Sequence, residues 1–88
     1  MPIAGVIIIS APNMADDVLI KLKRIKNVST YGIHKENNIV AVFEGETTNE
    51  LEHINNKILK EVDGVVGVFP AYVNFEDETE KIPDNLTR

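Results

Sequence analysis

The first apolar run, "IAGVIIIS" at residues 3–10, breaks the expected alternation. A strand with one face in the core and one in water alternates apolar and polar positions. This run carries Ile3, Ala4, Val6, Ile7, Ile8 and Ile9 and one polar residue, Ser10. Its β-branched content predicts a strand. Its lack of alternation predicts that both faces are covered. "APN" at 11–13 ends the run, with Pro12 placed to open a helix. From there to about Lys26, Met14, Val18, Leu19, Leu22 and Ile25 recur at helical spacing. Asp16 and Asp17 lie early in that helix, and Lys21, Lys23, Arg24 and Lys26 late, an order that complements the helix dipole. Asn27 suits a left-handed helix end.

"VSTYGIHK" at 28–35 reads as a second strand, and "IVAVFEG" at 39–45 as a third. "ENN" at 36–38 joins them as a hairpin turn, because Asn tolerates positive φ. "TTNE" at 47–50 is a capping-box pattern, Thr47 at the N-cap and Glu50 three residues on. The helix it starts puts Leu51, Ile54, Ile58, Leu59 and Val62 on one face, and Gly64 closes it. "VVGVFPAYVNF" at 65–75 is the fourth strand. The polar remainder, "EDETEKIPDNLTR", reads as a flexible tail, so one domain is expected over 1–76 and a tail over 77–88.

The order is β-α-β-β-α-β, with a faint internal repeat. "LKRIKNV" (22–28) and "LKEVDGV" (59–65) each run from a helix end into a strand. Two βαβ halves of this kind predict an α+β, ferredoxin-like domain. Right-handed crossovers place both helices on one face of a four-stranded antiparallel sheet of order 4-1-3-2. Pro70 fits the fourth strand at an edge, since proline cannot donate to a ladder.

Two helices cover one side of that sheet, and the other should be polar if it meets only water. In the third strand Glu44 marks the open set, which then includes Val40 and Val42. In the second, Lys35 marks an open set with Tyr31 and Ile33. In the first strand Ile7 and Ile9 are assigned to the open face and Val6 and Ile8 to the core. In the fourth, Phe69, Ala71 and Val73 are assigned outward, and Val66, Val68 and Tyr72 inward. The open face would then join Ile7, Ile9, Tyr31, Ile33, Val40, Val42, Phe69 and Val73 in an apolar surface of several hundred Å2, the size at which exposed patches mark binding. A partner molecule and a homodimer through this face would each account for it.

Composition narrows the chemistry. The 88 residues suffice for one small domain, and 43% are hydrophobic. With no cysteine, disulfides, iron–sulfur clusters and thiol chemistry are absent. The net charge of −5 argues against nucleic acid as a partner. Residues 1–20 hold no Lys or Arg, so no charged leader precedes the apolar run. The run is also shorter than the ~20 residues that span a bilayer. A cytoplasmic protein without membrane insertion is expected. His34 and His53 lie apart, with no acidic residue at metal-ligand spacing around either. No Ser–His–acid order or glycine-rich phosphate loop is present. The reading is therefore a protein that is not an enzyme and carries no metal or cofactor. The acidic run "EDETE" (76–80) reads first as a solvated tail and second as an attraction for a basic peptide.

These segments resemble the NapD family, cytoplasmic chaperones of the periplasmic nitrate reductase. "IAGVIIISAPN" is similar to the family's opening strand and helix entry. "NNIVAVFEGET" is similar to its third strand, and "VDGVVGVFPAYVNFED" to its last segment. The resemblance spans residues 3–77. It departs at Val73 and Asn74, where many members carry His or another polar residue, and at Pro70. The resemblance implies binding of the twin-arginine signal peptide of the nitrate reductase precursor on the open sheet face. It also implies that export is delayed until the molybdenum cofactor is inserted. Glu44 and Glu46 would complement the peptide's arginines.

The main rival is a stand-alone ACT or Lrp/AsnC-type small-molecule-binding domain, which shares the element order and dimerises through its sheet. ACT domains usually carry glycine between the first strand and first helix, where this chain has "APN". A metal-delivery domain of the same fold needs a CxxC motif, which is missing. A third rival is a purely structural dimerisation module, which the sequence does not exclude.

Overall fold

The computed structural model describes residues 2–74, with backbone alone for 72–74. The expected tail lies outside the described residues. The elements run β1 (Ile3–Ser10), α1 (Ala15–Leu22), β2 (Val28–His34), β3 (Asn38–Glu44), α2 (Thr48–Glu61) and β4 (Val65–Asn74). They form one antiparallel four-stranded sheet of order β2-β3-β1-β4 with two helices, the ferredoxin-like arrangement. β1 is a central strand, which explains its composition. Its burial alternates along its length, with Val6 and Ile8 sealed and Ile7 and Ile9 half-buried. β3 and β4 flank this second set on either side.

The core lies between sheet and helices. Ala4, Val6 and Ile8 of β1 and Ile39, Ala41 and Phe43 of β3 meet Val18 and Leu22 of α1 and Leu51, Ile54 and Ile58 of α2. Leu59, expected on the apolar face of α2, is instead 44% exposed. α1 is shorter than its apolar periodicity suggests. After Leu22 the bonds tighten, with Arg24 N–H donating to Lys21 O and Ile25 N–H to Leu22 O. Asn27 then turns the chain at φ 69°. Ile25 still packs against the core from this turn, so it continues the helical pattern without belonging to the helix.

α2 begins as its sequence predicts. The Thr47 Oγ1 accepts from Glu50 N–H at 3.2 Å. Glu50 Oε1 accepts from Glu46 N–H at 3.0 Å, one residue before the position of the usual capping box. Beyond α2, Gly64 turns the chain at φ 95°. A Cβ there would lie 2.8 Å from Met14 Cε and 3.0 Å from Val18 Cγ2. Glycine is thus required by both dihedral and space. The β2–β3 turn differs from expectation. It spans residues 35–37, and positive φ falls on Lys35 (51°) and Glu36 (71°), not on the asparagines.

Candidate functional site

The sheet face away from the helices is the candidate site, and strand register defines its rows. In an antiparallel pair, directly opposed residues project to the same side. Ile7 is opposite Val40 on one flank and Phe69 on the other. Gly5 is opposite Val42 and Tyr72, and Val42 in turn is opposite Ser29. Ile9 is opposite Asn38 and Gly67, and Asn38 is opposite His34. At the far end Glu44 is opposite Ile3.

The middle of the face is therefore aliphatic, built from Ile7, Ile9, Val40 and Val42, all half-buried. Two exposed aromatics stand at its margins. Tyr31 on the β2 edge is 62% exposed, and Phe69 on the β4 edge 58%. Three strand spacings separate these margins, about 14 Å. The Phe69 ring lies along its own strand over Gly67, where a Cβ would come 2.9 Å from its Cε2. The glycine thus lets the ring lie flat against the sheet, with one side of it covered and the other open to a partner. Glu44 is exposed, and so is Glu46 just past the strand end. The carboxylates thus border the apolar field at one end.

Face assignments on both β2 and β4 need correction. Ile33 was expected beside Tyr31 on the open face, but it pairs with the sealed Ile39 and packs against the core. The register slips between Thr30 and Ile33. Tyr31 and Gly32 together occupy the place of one residue, and Gly32 takes φ 102°. The extra residue reverses the phase of the strand. Nothing lies within 4 Å of a Cβ built at Gly32, so the dihedral and not space demands glycine. An isolated glycine inside a strand pattern is a bulge signal, and it could have located this one.

β4 carries two such slips, opposite Ile9/Ser10 and opposite Gly5/Val6. The first leaves Val66 unpaired and 66% exposed, although an inward position was expected. The second leaves Ala71 unpaired, so Val73 falls opposite core-facing Ala4 and Tyr72 opposite Gly5. The backbone register thus sets Val73 out of phase with Phe69, against the expected alternation. Val68 packs toward the core and Phe69 is open, as expected.

Two cavities lined by described residues lie away from this face. One of about 440 Å3 lies on the helix side, between α2 and the sheet, with Val6, Phe43, Leu51, Asn55, Val68 and Pro70 in its lining. Another of about 370 Å3 sits between the start of α1 and the β2–β3 turn and is lined in part by Asp16 and Glu36. Among the described residues, no group of three or more His, Cys, Asp or Glu is arranged to hold a metal ion. No described helix is long and apolar enough to cross a membrane.

A family model described as "NapD protein" matches residues 1–77. No curated protein and no solved structure matches the chain.

Proposed function

On the premise that the chain belongs to the NapD family, we propose that it is a cytoplasmic, non-enzymatic chaperone of the nitrate reductase system. Its ligand is the twin-arginine signal peptide of the catalytic subunit precursor, and its binding delays export until the molybdenum cofactor is in place. The observation that carries this reading is the open sheet face. It is aliphatic at its centre, aromatic at both margins and acidic at one end. A signal peptide offers the complement, an apolar segment preceded by arginines.

The sheet edges are poor templates for an added strand. β4 is interrupted by Pro70 and two register slips, and β2 by the Tyr31–Gly32 bulge. The peptide therefore docks on the face, with its backbone hydrogen bonds satisfied internally as a helix. A helix is ~10–12 Å across, which fits between Tyr31 and Phe69. Ile7, Ile9, Tyr31, Val40, Val42 and Phe69 supply the apolar contacts. Glu44, with Glu46 beside it, accepts the guanidinium forks. Ile33 takes no part, because it packs inward. The family match does not favour the small-molecule sensor.

The test is a titration with a synthetic twin-arginine signal peptide, followed by amide and methyl NMR. Shifts are expected at Ile7, Ile9, Val40, Val42 and Phe69, with little change at Val18, Leu22 and Ile58 on the helix side. Shifts confined to the helix side would move the site, and a peptide that does not bind would remove the function.

A further inference from the structure

The C-terminal end of α1 concentrates positive charge on an acidic chain. Lys21, Lys23, Arg24 and Lys26 are four of the nine Lys and Arg residues, and no Asp or Glu occurs between Asp17 and Glu36. Lys23, Arg24 and Lys26 are exposed. With a net charge of −5 over the whole chain, this turn is a local reversal of sign. The backbone crowds it further. Arg24 N–H donates to Lys21 O at 3.1 Å, an i,i+3 bond that eclipses the two side chains. Like charges so placed repel each other.

The helix itself does not require so much charge. Its dipole amounts to about half an elementary charge at this end, and Lys21 in the last turn already answers it. Lys23, Arg24 and Lys26 exceed that need. Ile20 adjoins them, three and four residues before Lys23 and Arg24, and is 52% exposed. α1 buries Ala15, Val18 and Leu22, so Ile20 lies on the side of the helix away from the core. The surface thus pairs a bare aliphatic side chain with three exposed cations. It belongs to the helix layer and not to the open sheet face.

The shape of the charge selects the partner. Carboxylates border the turn. Glu44 N–H donates to Asn27 O at 3.0 Å, so the acidic end of β3 abuts it. Glu50 lines a cavity of about 280 Å3 together with Asn27. Asp16 and Asp17 stand at the other end of α1. A planar anionic surface such as a bilayer would press on these carboxylates as well as on the cations. A single extended chain is only about 5 Å wide and can follow the cations alone. We propose that the outer face and C-terminal turn of α1 dock an acidic segment of a partner protein. Its carboxylates meet Lys23, Arg24 and Lys26, and an apolar side chain beside them covers Ile20. A segment held there leaves Ile7, Val40 and Val42 uncovered.

The probe is a short synthetic peptide of glutamates around a central leucine, titrated at low ionic strength and followed by amide NMR. Shifts are expected at Ile20, Lys23, Arg24 and Lys26, and binding should weaken with salt. Lys23→Gln with Arg24→Gln and Lys26→Gln should lower affinity by about 10-fold, since each exposed pair contributes little. Lys35→Gln with Lys57→Gln and Lys60→Gln removes the same charge from exposed positions elsewhere and should leave affinity within about 2-fold. Thermal melts check that both triple variants fold. Equal weakening by the two triple variants would overturn the proposal, because net charge alone would then explain binding. Shifts away from α1, no binding, or equal binding of a peptide with glutamine in place of every glutamate would overturn it too. Vesicles of phosphatidylglycerol and phosphatidylcholine form the last arm. Shifts at the α1 turn with vesicles but not with the peptide would overturn it in favour of a lipid surface.

Discussion

Val42→Asp tests the candidate face most sharply, because its neighbour in sequence provides the control. Val42 is half-buried at the centre of the open face, with Gly5 opposite it on β1 and Ser29 on β2. In the free protein the new carboxylate reaches water. Folding loses part of one valine's burial, about 1 kcal/mol. Repulsion from Glu44, two residues along on the same face, adds roughly 0.2–1 kcal/mol at an exposed site. Both are small against the total stability of ~5 kcal/mol or more expected of a domain. In the peptide complex the same carboxylate lies beneath an apolar segment without a partner, at a cost of ~2–5 kcal/mol. Affinity should therefore fall from about 30-fold to a few thousand-fold. Ala41→Asp moves the charge by one residue into the sealed core, where Ala41 is 0% exposed, and should unfold the protein. Circular dichroism with thermal melts reports folding, and calorimetry or fluorescence anisotropy with a labelled signal peptide reports binding. A folded Val42→Asp that binds normally would refute the site. An unfolded Val42→Asp alongside a folded Ala41→Asp would reverse the face assignment.

Three further outcomes are expected. Glu44→Gln with Glu46→Gln should weaken signal-peptide binding modestly and flatten its dependence on salt, because exposed carboxylates mainly steer the encounter. The same assay with both peptide arginines replaced by glutamine should reproduce that flattening, and an unchanged salt dependence would limit recognition to the apolar contacts. Glu36→Gly should stabilise the domain by about 0.5–1 kcal/mol in a denaturant melt, since Glu36 holds φ 71° and glycine occupies that region without strain. Gly64→Ala should destabilise by about 2–4 kcal/mol, because φ 95° is strained for alanine and its Cβ would press on Met14 and Val18.

Much of the fold was legible in local sequence. The βαββαβ order follows from hydrophobic period and turn residues, and the Thr47 cap from four consecutive residues. The edge position of the fourth strand follows from a proline that cannot donate. Each of these rests on interactions within a few residues of chain, and such interactions are encoded where they act. The all-apolar first strand also announced that its second face is not bare to water. Which side chains stand together on that face was decided by register. Ile33 and Tyr31 are two apart in sequence, and strict alternation would put them on one face. A single extra residue at Gly32 sends one to the core and the other to solvent. The same happens at Val66 and Ala71, where β4 slips against β1 and changes the phase of every residue beyond. Gly32 marks its slip in the sequence, but the pairing of two strands decides which residues beyond it change face. Strand composition can therefore say that a face is apolar, while only the paired sheet determines which residues line it.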